Sequence, residues 1–191
     1  MTVAGLLLAA GAGRRYGMPK ALVRHRGLLF VERAAEVLRA GGCEPVVVVL
    51  GARAAEVRAA ATLTGALVVD NPDWASGMGS SVRVGLSALG DCTAVVVLPV
   101  DTPGVTPAAV DRLVRLATPS ALARATYDDV PGHPVLLGRD HWAEVAELAV
   151  GDEGARPYLA RQRVQPVPCG DVAVGTDVDR PEELPSQEPD Y

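Results

Sequence analysis

Short aliphatic runs that alternate with helical patterns are the feature that most constrains how this chain can fold. Val3–Ala9, Val46–Leu50 and Ala94–Leu98 contain no charged residue, which is typical of strands buried on both faces of a parallel sheet. Apolar residues recur at helical spacing between them, for example over residues 30–38. This order predicts an α/β fold in which a mostly parallel sheet lies between two layers of helices.

The same patterns predict the other elements and the domain limits. Helices are expected over residues 30–38, 54–61, about 81–89, 107–116, 141–149 and 156–161, and further strands over 66–69, 122–126 and 135–137. Ser80 or Ser81 is expected to cap the third of these helices. The tail after Pro181 holds two prolines and four acidic residues and is expected to fray. We therefore predict one domain over 1–184 and a flexible segment over 185–191.

Composition excludes several classes of protein. The net charge is −5, whereas nucleic-acid and anionic-membrane binders usually show a basic excess, so we expect neither partner. No run approaches the roughly 20 apolar residues of a membrane helix, and the apolar N-terminus lacks the positive flank of a signal peptide. Cys43, Cys92 and Cys169 are scattered without metal-binding spacing, which indicates reduced thiols and a cytoplasmic location.

A loop rich in glycine and positive charge follows the first strand. Its glycines are Gly11, Gly13 and Gly17. Glycines let the backbone turn with its N–H groups pointing inward, which makes a concavity suited to phosphate oxygens. Arg14, Arg15 and Lys20 add three cations within seven residues. The loop is not of the Walker type, because Met18 follows the last glycine, but it predicts a polyphosphate site at the carboxyl end of a strand.

Lys20 is the only lysine among 18 basic residues, and the others are arginine. Chance, in a chain that strongly prefers arginine, is one explanation. The other is that this position needs a compact point charge, which a planar guanidinium does not replace.

Two further segments carry acids that suit a cation. Asp101 follows the third aliphatic run and precedes Pro103, and a hard cation prefers carboxylate oxygens while sharing phosphate ligands. Asp177 and Asp179 are two residues apart, so in an extended segment they face the same side. From the residues alone, Asp101 could instead open a turn, and the later pair could belong to a solvated acidic surface.

The segment Leu6–Lys20 resembles the signature of the molybdopterin nucleotidyltransferase family, which includes MobA-like NTP transferases and molybdenum cofactor cytidylyltransferases. The signature L-x-x-G-x-x-x-R-x-G-x-x-K is matched by Leu8, Gly11, Arg15, Gly17 and Lys20. The resemblance implies a three-layer, Rossmann-like fold of the nucleotide-diphospho-sugar transferase type. It also implies that the nucleotide is bound by Leu8, Ala9, Ala10, Gly11, Ala12, Gly13, Arg14, Arg15 and Lys20.

Three later segments resemble further blocks of this family. Residues 71–86 resemble N-x-x-W-x-x-G-x-x-x-S, which would place three more residues near the nucleotide. These are Asn71, Gly77 and Ser81. Residues 131–139 and 151–159 resemble the G-H-P and G-D-x-G-A-R blocks of the cytidylyltransferase-like branch. This resemblance places three residues at the acceptor: His133, Asp152 and Arg156.

Two alternatives stay open for the acceptor residues. A histidine beside proline is as readily a structural hydrogen-bonding residue, so His133 need not contact a ligand. Arg156 could bind the acceptor's phosphate or pair with Asp152.

The resemblance also implies the metal and the reaction. Asp101 would bind Mg²⁺, and the C-terminal GTDVDRPEEL resembles D-x-D-T-P-E-D-L, in which Asp179 would be the second metal ligand and Arg180 replaces a small residue. Arg15, Lys20 and Asp101 would be the catalytic residues. The implied reaction moves NMP from an NTP to a phosphorylated acceptor and releases pyrophosphate.

The nucleotide and the acceptor follow from finer points of the resemblance. Ala9-Ala10-Gly11, in place of Ala-Gly-Gly, favours CTP over GTP. The later blocks indicate molybdopterin cofactor as the acceptor, with a molybdoenzyme or its chaperone as a protein partner. The wider superfamily includes sugar-phosphate nucleotidyltransferases, so another phosphorylated acceptor stays open.

The rival interpretation is an oxidoreductase that binds NAD(P) or flavin, since relatives of the nicotine-blue-reductase kind reduce dyes. Residues 11–17 form G-x-G-x-x-x-G after a strand. The second strand ends Val49-Leu50-Gly51 with no acid at the position that binds a ribose. Arg53 could meet a 2′-phosphate, so NADP stays open. A nucleotide-binding accessory protein without turnover is a third possibility.

Overall fold

The computed structural model describes residues 2–184, and the aliphatic runs of the sequence form the centre of its main sheet. The strands are β1 Val3–Ala9, β2 Arg24–His25, β3 Leu28–Leu29, β4 Val46–Leu50, β5 Ala66–Asp70, β6 Ala94–Pro99, β7 Leu122–Tyr127, β8 Val130–Gly138 and β9 Gln165–Pro168. The α-helices are α1 Phe30–Ala40, α2 Ala54–Ala60, α3 Met78–Ala88, α4 Pro107–Val114, α5 Trp142–Leu148 and α6 Arg156–Leu159.

Seven strands form the main sheet in the order β5-β4-β1-β6-β8-β7-β9. Among them β8 alone runs against the others, because it pairs antiparallel with both β6 and β7. Leu8 of β1 is in register with Val49 of β4 and Pro99 of β6. The loops that follow these three strands therefore lie at one edge of the sheet, and the predicted mostly parallel α/β fold is confirmed.

Alternate residues of β1 pack against different helix layers, as expected for a strand buried on both faces. Leu7 lies in one core with Phe30 of α1 and Leu113 of α4. Leu6 lies in the other core with Leu86 of α3, and all of these side chains are buried. The sheet thus stands between two helix layers and holds its loops at a fixed edge.

The start of α3 differs from the sequence prediction. Neither Ser80 nor Ser81 caps this helix, because it begins earlier, at Met78 after Gly77. Gly77 has a φ of +114°, and a Cβ there would lie 2.4 Å from the backbone of Gly151. The close approach of these two segments fixes where the helix begins, and the two serines lie inside its first turn.

Several boundaries also differ. The helix predicted over 107–116 ends at Val114, and the strand predicted over 135–137 extends back to Val130. The β2–β3 hairpin and the strand β9 were not predicted. Residues 181–183 form a short 3₁₀ turn rather than a frayed end, since Glu183 accepts hydrogen bonds from the backbone N–H groups of Asp179 and Arg180. The flexible segment predicted over 185–191 lies outside the described residues.

The three cysteines are free and buried. Burial raises the pKa of the Cys43 thiol to about 12, so it is protonated near neutral pH. None of the helices in residues 2–184 is both long and apolar enough to cross a membrane.

Candidate active site

The glycine loop after β1 forms a tight turn that only glycine permits at its centre. Gly13 has a φ of +61°, and a Cβ there would lie 1.9 Å from the carbonyl oxygen of Met18. The Gly13 carbonyl accepts hydrogen bonds from the N–H groups of Tyr16 and Gly17. Within residues 2–184, the backbone N–H groups of 11–15 donate to no protein acceptor. They are therefore available to an anion.

Lys20 connects the two acids that the sequence singled out. Its Nζ donates a hydrogen bond to Asp101 Oδ2 at 2.8 Å and another to Asp179 Oδ1 at 2.6 Å. The lysine side chain is 13% exposed. Arg15 adds an ion pair of 2.6 Å to the other oxygen of Asp179. The structure thus brings Asp101 and Asp179 together at one point of the cleft, and Lys20 points into that cleft.

The charges of this cluster reinforce one another. Burial alone would lower the pKa of Lys20, but its hydrogen bonds to Asp101 and Asp179 raise the pKa above the usual value. The Lys20 hydrogen bond in turn lowers the pKa of Asp179. Lys20 is therefore protonated at neutral pH, and its ammonium group lies between the side chains of Asp101 and Asp179. Lys20 thus donates hydrogen bonds to both acids in this structure, and its predicted contact with the nucleotide phosphates stays a prediction.

The donor set of this cluster fits a divalent cation. Two carboxylates already share one small cation, and their oxygens lie no farther apart than the sum of the two hydrogen-bond distances. Among the described residues, no group of three or more histidine, cysteine or acidic side chains is arranged to hold a metal. Mg²⁺ typically takes one or two carboxylates together with substrate phosphates and water. A cation that completes its shell with a nucleotide therefore fits here.

A cavity of about 300 Å³ opens beside the glycine loop. Its walls include the loop, α3 and the preceding 3₁₀ turn: Ala10, Gly11, Ala12, Arg14, Trp74, Gly77 and Ser81. A Cβ at Gly51 would lie 2.5 Å from Trp74 Cβ, so this glycine lets the indole pack directly on the sheet edge. The predicted nucleotide residues Gly77 and Ser81 lie at this cavity, as does an aromatic side chain against which a base could stack.

Asn71, which the sequence also placed near the nucleotide, lies behind this cavity. It is buried, and its Nδ2 donates hydrogen bonds to Ser80 Oγ and Ser81 Oγ at 2.7 and 3.0 Å. Its Oδ1 accepts a hydrogen bond from the N–H of Asp73. Asn71 therefore positions the first turn of α3 and the loop before it.

A middle cavity of about 430 Å³ contains the charged cluster. Its lining comprises Leu8, Gly11, Gly13, Arg14, Arg15, Lys20, Asp101, Asp152 and Asp179, together with Met78, Pro99 and Val100. Ala9, in contrast, is buried and belongs to the core between α1 and the sheet. Most of the predicted nucleotide and metal residues thus border one space.

A third cavity of about 140 Å³ adjoins the cluster on the side of β8. His133, Asp152 and Arg156, the predicted acceptor residues, all line it. Among the described residues Arg156 forms no ion pair with Asp152. Burial, with the positive charge of Arg124, lowers the pKa of His133 to about 4, so this imidazole is neutral at pH 7.

Asp177 lines the third cavity, whereas Asp179 forms an ion pair with Lys20 in the neighbouring middle cavity. Val178 between them is buried, as expected when residues i and i+2 face the same side. Desolvation raises the pKa of Asp177, and the negative charges of Asp101 and Asp179 add to that increase.

Sequence reasoning missed three residues of this site: Met78, Trp74 and Arg124. Met78 borders all three cavities. Arg124 lies in β7 and lines the third cavity. The available signal was an arginine in the middle of a predicted apolar strand, where an unpaired charge is unfavourable.

A loop with available backbone N–H groups and two convergent carboxylates, at the carboxyl edge of this sheet, is the arrangement expected of a nucleotidyltransferase. Residues 5–167 match the model of the MobA-like NTP transferase domain, and the chain belongs to this family.

Three known proteins illustrate the range of its relatives. It is 42% identical to the nicotine blue oxidoreductase of Paenarthrobacter nicotinovorans over 95% of this chain and 94% of that protein. Over 38 residues, 20% of this chain and 19% of the other, it is 50% identical to a probable molybdenum cofactor guanylyltransferase of Bacillus cytotoxicus. The crystal structure of Rv0371c from Mycobacterium tuberculosis is 30% identical, with a TM-score of 0.81 over 94% of each chain.

Rv0371c has also been solved in complex with manganese. That structure is 28% identical to this chain, with a TM-score of 0.77 over 98% of this chain and 95% of that one.

Proposed function

We propose that this protein is a divalent-metal-dependent nucleotidyltransferase that moves NMP from an NTP, with CTP favoured and Mg²⁺ as the metal, to a phosphorylated acceptor. The observation that carries the proposal is the meeting of Lys20, Asp101 and Asp179 beside a loop with free N–H groups. Such a site can hold a triphosphate and a cation together. The manganese complex of the related Rv0371c supports a metal-dependent site.

The chain's own residues neutralise and align the phosphates. The N–H groups of 11–15 would bind phosphate oxygens, and Arg15 and Lys20 would exchange their carboxylate partners for the β- and γ-phosphates. Asp101 and Asp179, freed from the lysine, would hold Mg²⁺. When bound, the metal withdraws charge from the phosphate oxygens and orients them for attack.

The reaction then needs little from the protein except electrostatic stabilisation. An oxygen of the acceptor phosphate attacks the α-phosphorus, a new P–O bond forms, and the bond to the bridging oxygen of the β-phosphate breaks. Pyrophosphate leaves with the electron pair, and Lys20 and Arg15 stabilise its charge. No general base is needed because the nucleophile is already an anion.

CTP is favoured by the Ala9-Ala10-Gly11 sequence, and Ala10 lines the cavity beside Trp74. Molybdopterin cofactor is the acceptor we favour, since His133 and Arg156 of the resembling blocks line one cavity next to the charged cluster. The relatives named as probable molybdenum cofactor guanylyltransferases support this class of acceptor.

The test is a thermal-shift screen of the four NTPs, each with and without Mg²⁺, followed by an assay of pyrophosphate release. A ligand present at 100 times its Kd stabilises the fold by about 2.7 kcal/mol. We expect CTP with Mg²⁺ to give the largest shift, and pyrophosphate to appear only when molybdopterin cofactor is added. Release with a sugar phosphate instead would correct the acceptor. Binding without release to any acceptor would indicate an accessory protein.

The second candidate is an NADPH-dependent dye reductase, which the nicotine blue oxidoreductase relative favours. In dinucleotide-binding folds the glycine loop opens directly into a helix whose N-terminus binds the pyrophosphate. Here Gly17 is followed by a 3₁₀ turn and the β2–β3 hairpin, and α1 begins only at Phe30. Arg53, the residue available for a 2′-phosphate, pairs with Glu56 at 2.7 Å.

NADPH oxidation in the presence of nicotine blue tests this candidate directly. We expect no oxidation above the rate without protein. Oxidation that does not depend on NTP or Mg²⁺ would favour the reductase and contradict nucleotidyl transfer.

A further inference from the structure

We propose that Arg124 and Arg156 form a second anion site in the third cavity, which selects acceptors that carry an acidic group besides the reacting phosphate. The assignment of this cavity to an acceptor rests on the proposed function. The cavity defines the part of the acceptor that would enter it: a group about the size of one ring that carries a carboxylate or a similar acid.

Arg124 is held in place by the sheet and points its charge at the cavity. Its Nε donates a hydrogen bond of 3.2 Å to the carbonyl oxygen of Gly132 across the β7–β8 pair. The register of that pair shifts between Arg124 and Thr126, which interrupts the regular pairing beside the arginine. No carboxylate of residues 2–184 lies within ion-pair distance of Arg124. Its terminal nitrogens are therefore fixed in direction and free to bind a ligand.

Arg156 brings a second guanidinium to the same cavity from the start of α6. It too lacks an ion-pair partner among the described residues. Burial lowers the pKa of Arg124, and the positive charge of Arg156 lowers it further. Two like charges at a partly desolvated site are unfavourable until an anion joins them, and arginine binds carboxylates and phosphates in a two-pronged geometry.

The acids at this cavity form no ion pair with either arginine within residues 2–184, although the positive charge of Arg156 acts on Asp177 and opposes the increase in its pKa. Asp101 is bound to Lys20. Asp152, Glu153 and Asp177 also line the cavity, but within residues 2–184 none of them pairs with either arginine. Asp177 has a raised pKa because of desolvation and its acidic neighbours. An acid on the ligand can therefore reach the two arginines.

The size and walls of the cavity define the body of the ligand. Its volume is about 140 Å³, and its apolar lining includes Leu8, Val97, Val135 and Leu159. An apolar cavity of about 150 Å³ is large enough to bind benzene. By volume the space therefore suits one ring with polar substituents, whose phosphate would lie toward Asp101 and whose acid would meet Arg124.

Two probes that differ by one charge test the proposal. Phenyl phosphate and 4-carboxyphenyl phosphate are titrated calorimetrically into the wild-type protein and into Arg124→Gln, Arg124→Lys and Arg161→Gln, with CTP and Mg²⁺ present. Arg161 is exposed and lies outside the cavity, so its variant is the matched control. A third probe, 4-carbamoylphenyl phosphate, has a neutral group of the same size in place of the carboxylate, so it separates the effect of the carboxylate's charge from that of its size.

We expect the wild type and Arg161→Gln to bind 4-carboxyphenyl phosphate at least tenfold more tightly than either other probe. Arg124→Gln should remove this preference while its affinity for phenyl phosphate changes less than threefold, and Arg124→Lys should restore part of it. Equal affinities in the wild type, no measurable binding of the carboxylate probe, or a preference that survives Arg124→Gln would overturn the proposal. Pyrophosphate release, measured in parallel, tests the transfer reaction separately: its absence with every acceptor counts against the proposed function alone.

Discussion

The ammonium group of Lys20 lies 2.8 Å from the carboxylate of Asp101, with a second acid on its other side. The protein thus places its own cation between the two carboxylates that are proposed to bind the metal. Nucleotide phosphates would replace the two carboxylates as partners of Lys20, and the metal would replace Lys20 as the partner of the carboxylates. This arrangement avoids leaving two partly buried like charges next to each other.

Loss of Lys20 should damage turnover more than folding. We expect Lys20→Ala and Arg15→Ala each to lower the rate of pyrophosphate release at least tenfold, which corresponds to about 1.4 kcal/mol of transition-state stabilisation. Arg163→Ala, at an exposed position outside the cavities, is the control and should stay within twofold of wild type. Wild-type turnover in Lys20→Ala would contradict its catalytic role.

Removal of Asp101 should abolish the metal-dependent reaction. In Asp101→Ala the metal keeps only one of its proposed protein ligands, so we expect no pyrophosphate release at any Mg²⁺ concentration that saturates the wild type. Circular dichroism should show an unchanged fold. If Asp101→Ala turns over at the wild-type rate with a chelator present, the metal assignment is wrong.

The turn at Gly13 should be essential to nucleotide binding. Gly13→Ala places a Cβ 1.9 Å from a backbone carbonyl at a positive φ, so the loop must open and its N–H groups must change direction. We expect the stabilisation by CTP and Mg²⁺ to disappear in a thermal-shift assay. Gly90→Ala is the matched control, because a Cβ at Gly90 meets no atom within 4 Å. An unchanged CTP shift in Gly13→Ala would exclude the loop as the phosphate site.

Asn71 should contribute to stability through its buried amide. Asn71→Ala removes three hydrogen bonds, and at about 1 kcal/mol each the free energy of unfolding should fall by roughly 2–3 kcal/mol. Gln162→Ala, at an exposed position where the side-chain amide makes no hydrogen bond within residues 2–184, should change it by less than about 0.5 kcal/mol. Urea denaturation measures both, and a loss below 1 kcal/mol for Asn71→Ala would contradict its structural role.

His133 should make stability depend on pH in mild acid. Burial lowers its pKa in the folded state to about 4, below the ordinary 6.5, so the unfolded chain binds more protons between these values. Stability from the neutral imidazole is complete above pH 6.5 and falls as the pH decreases toward 4. The difference in unfolding free energy between the wild type and His133→Asn should therefore shrink from pH 7.5 to pH 5. A constant difference, or an NMR titration of His133 near 6.5, would refute the shift.

The sequence predicted the central strands of the sheet and several residues that the structure brings together in the cleft. Uncharged runs identify buried strands because a charged side chain in such a strand would have no partner. Leu8, Asp101 and the glycine loop lie close together because parallel strands end at one edge of the sheet. The pairing of Lys20 with acids was not predictable, since it depends on how the loop of residues 10–19 folds back on the edge of the sheet. Arg124 was missed because its role depends on the antiparallel pairing of β7 and β8, which a period of two does not reveal. The serines of α3 were misassigned because the helix start is set by packing against Gly151.

Asp179 belongs to the stretch that follows the last strand of the sheet, whereas every strand is complete by residue 168. A protease that cuts between these two points would leave all nine strands in one piece and remove an acid that faces Lys20. The cleaved protein is expected to keep a melting temperature close to that of the intact chain while its affinity for metal and nucleotide falls. An intact segment around Asp179 is therefore expected to be needed for activity independently of the fold. During limited digestion, stabilisation by ligands should disappear before the fold is lost.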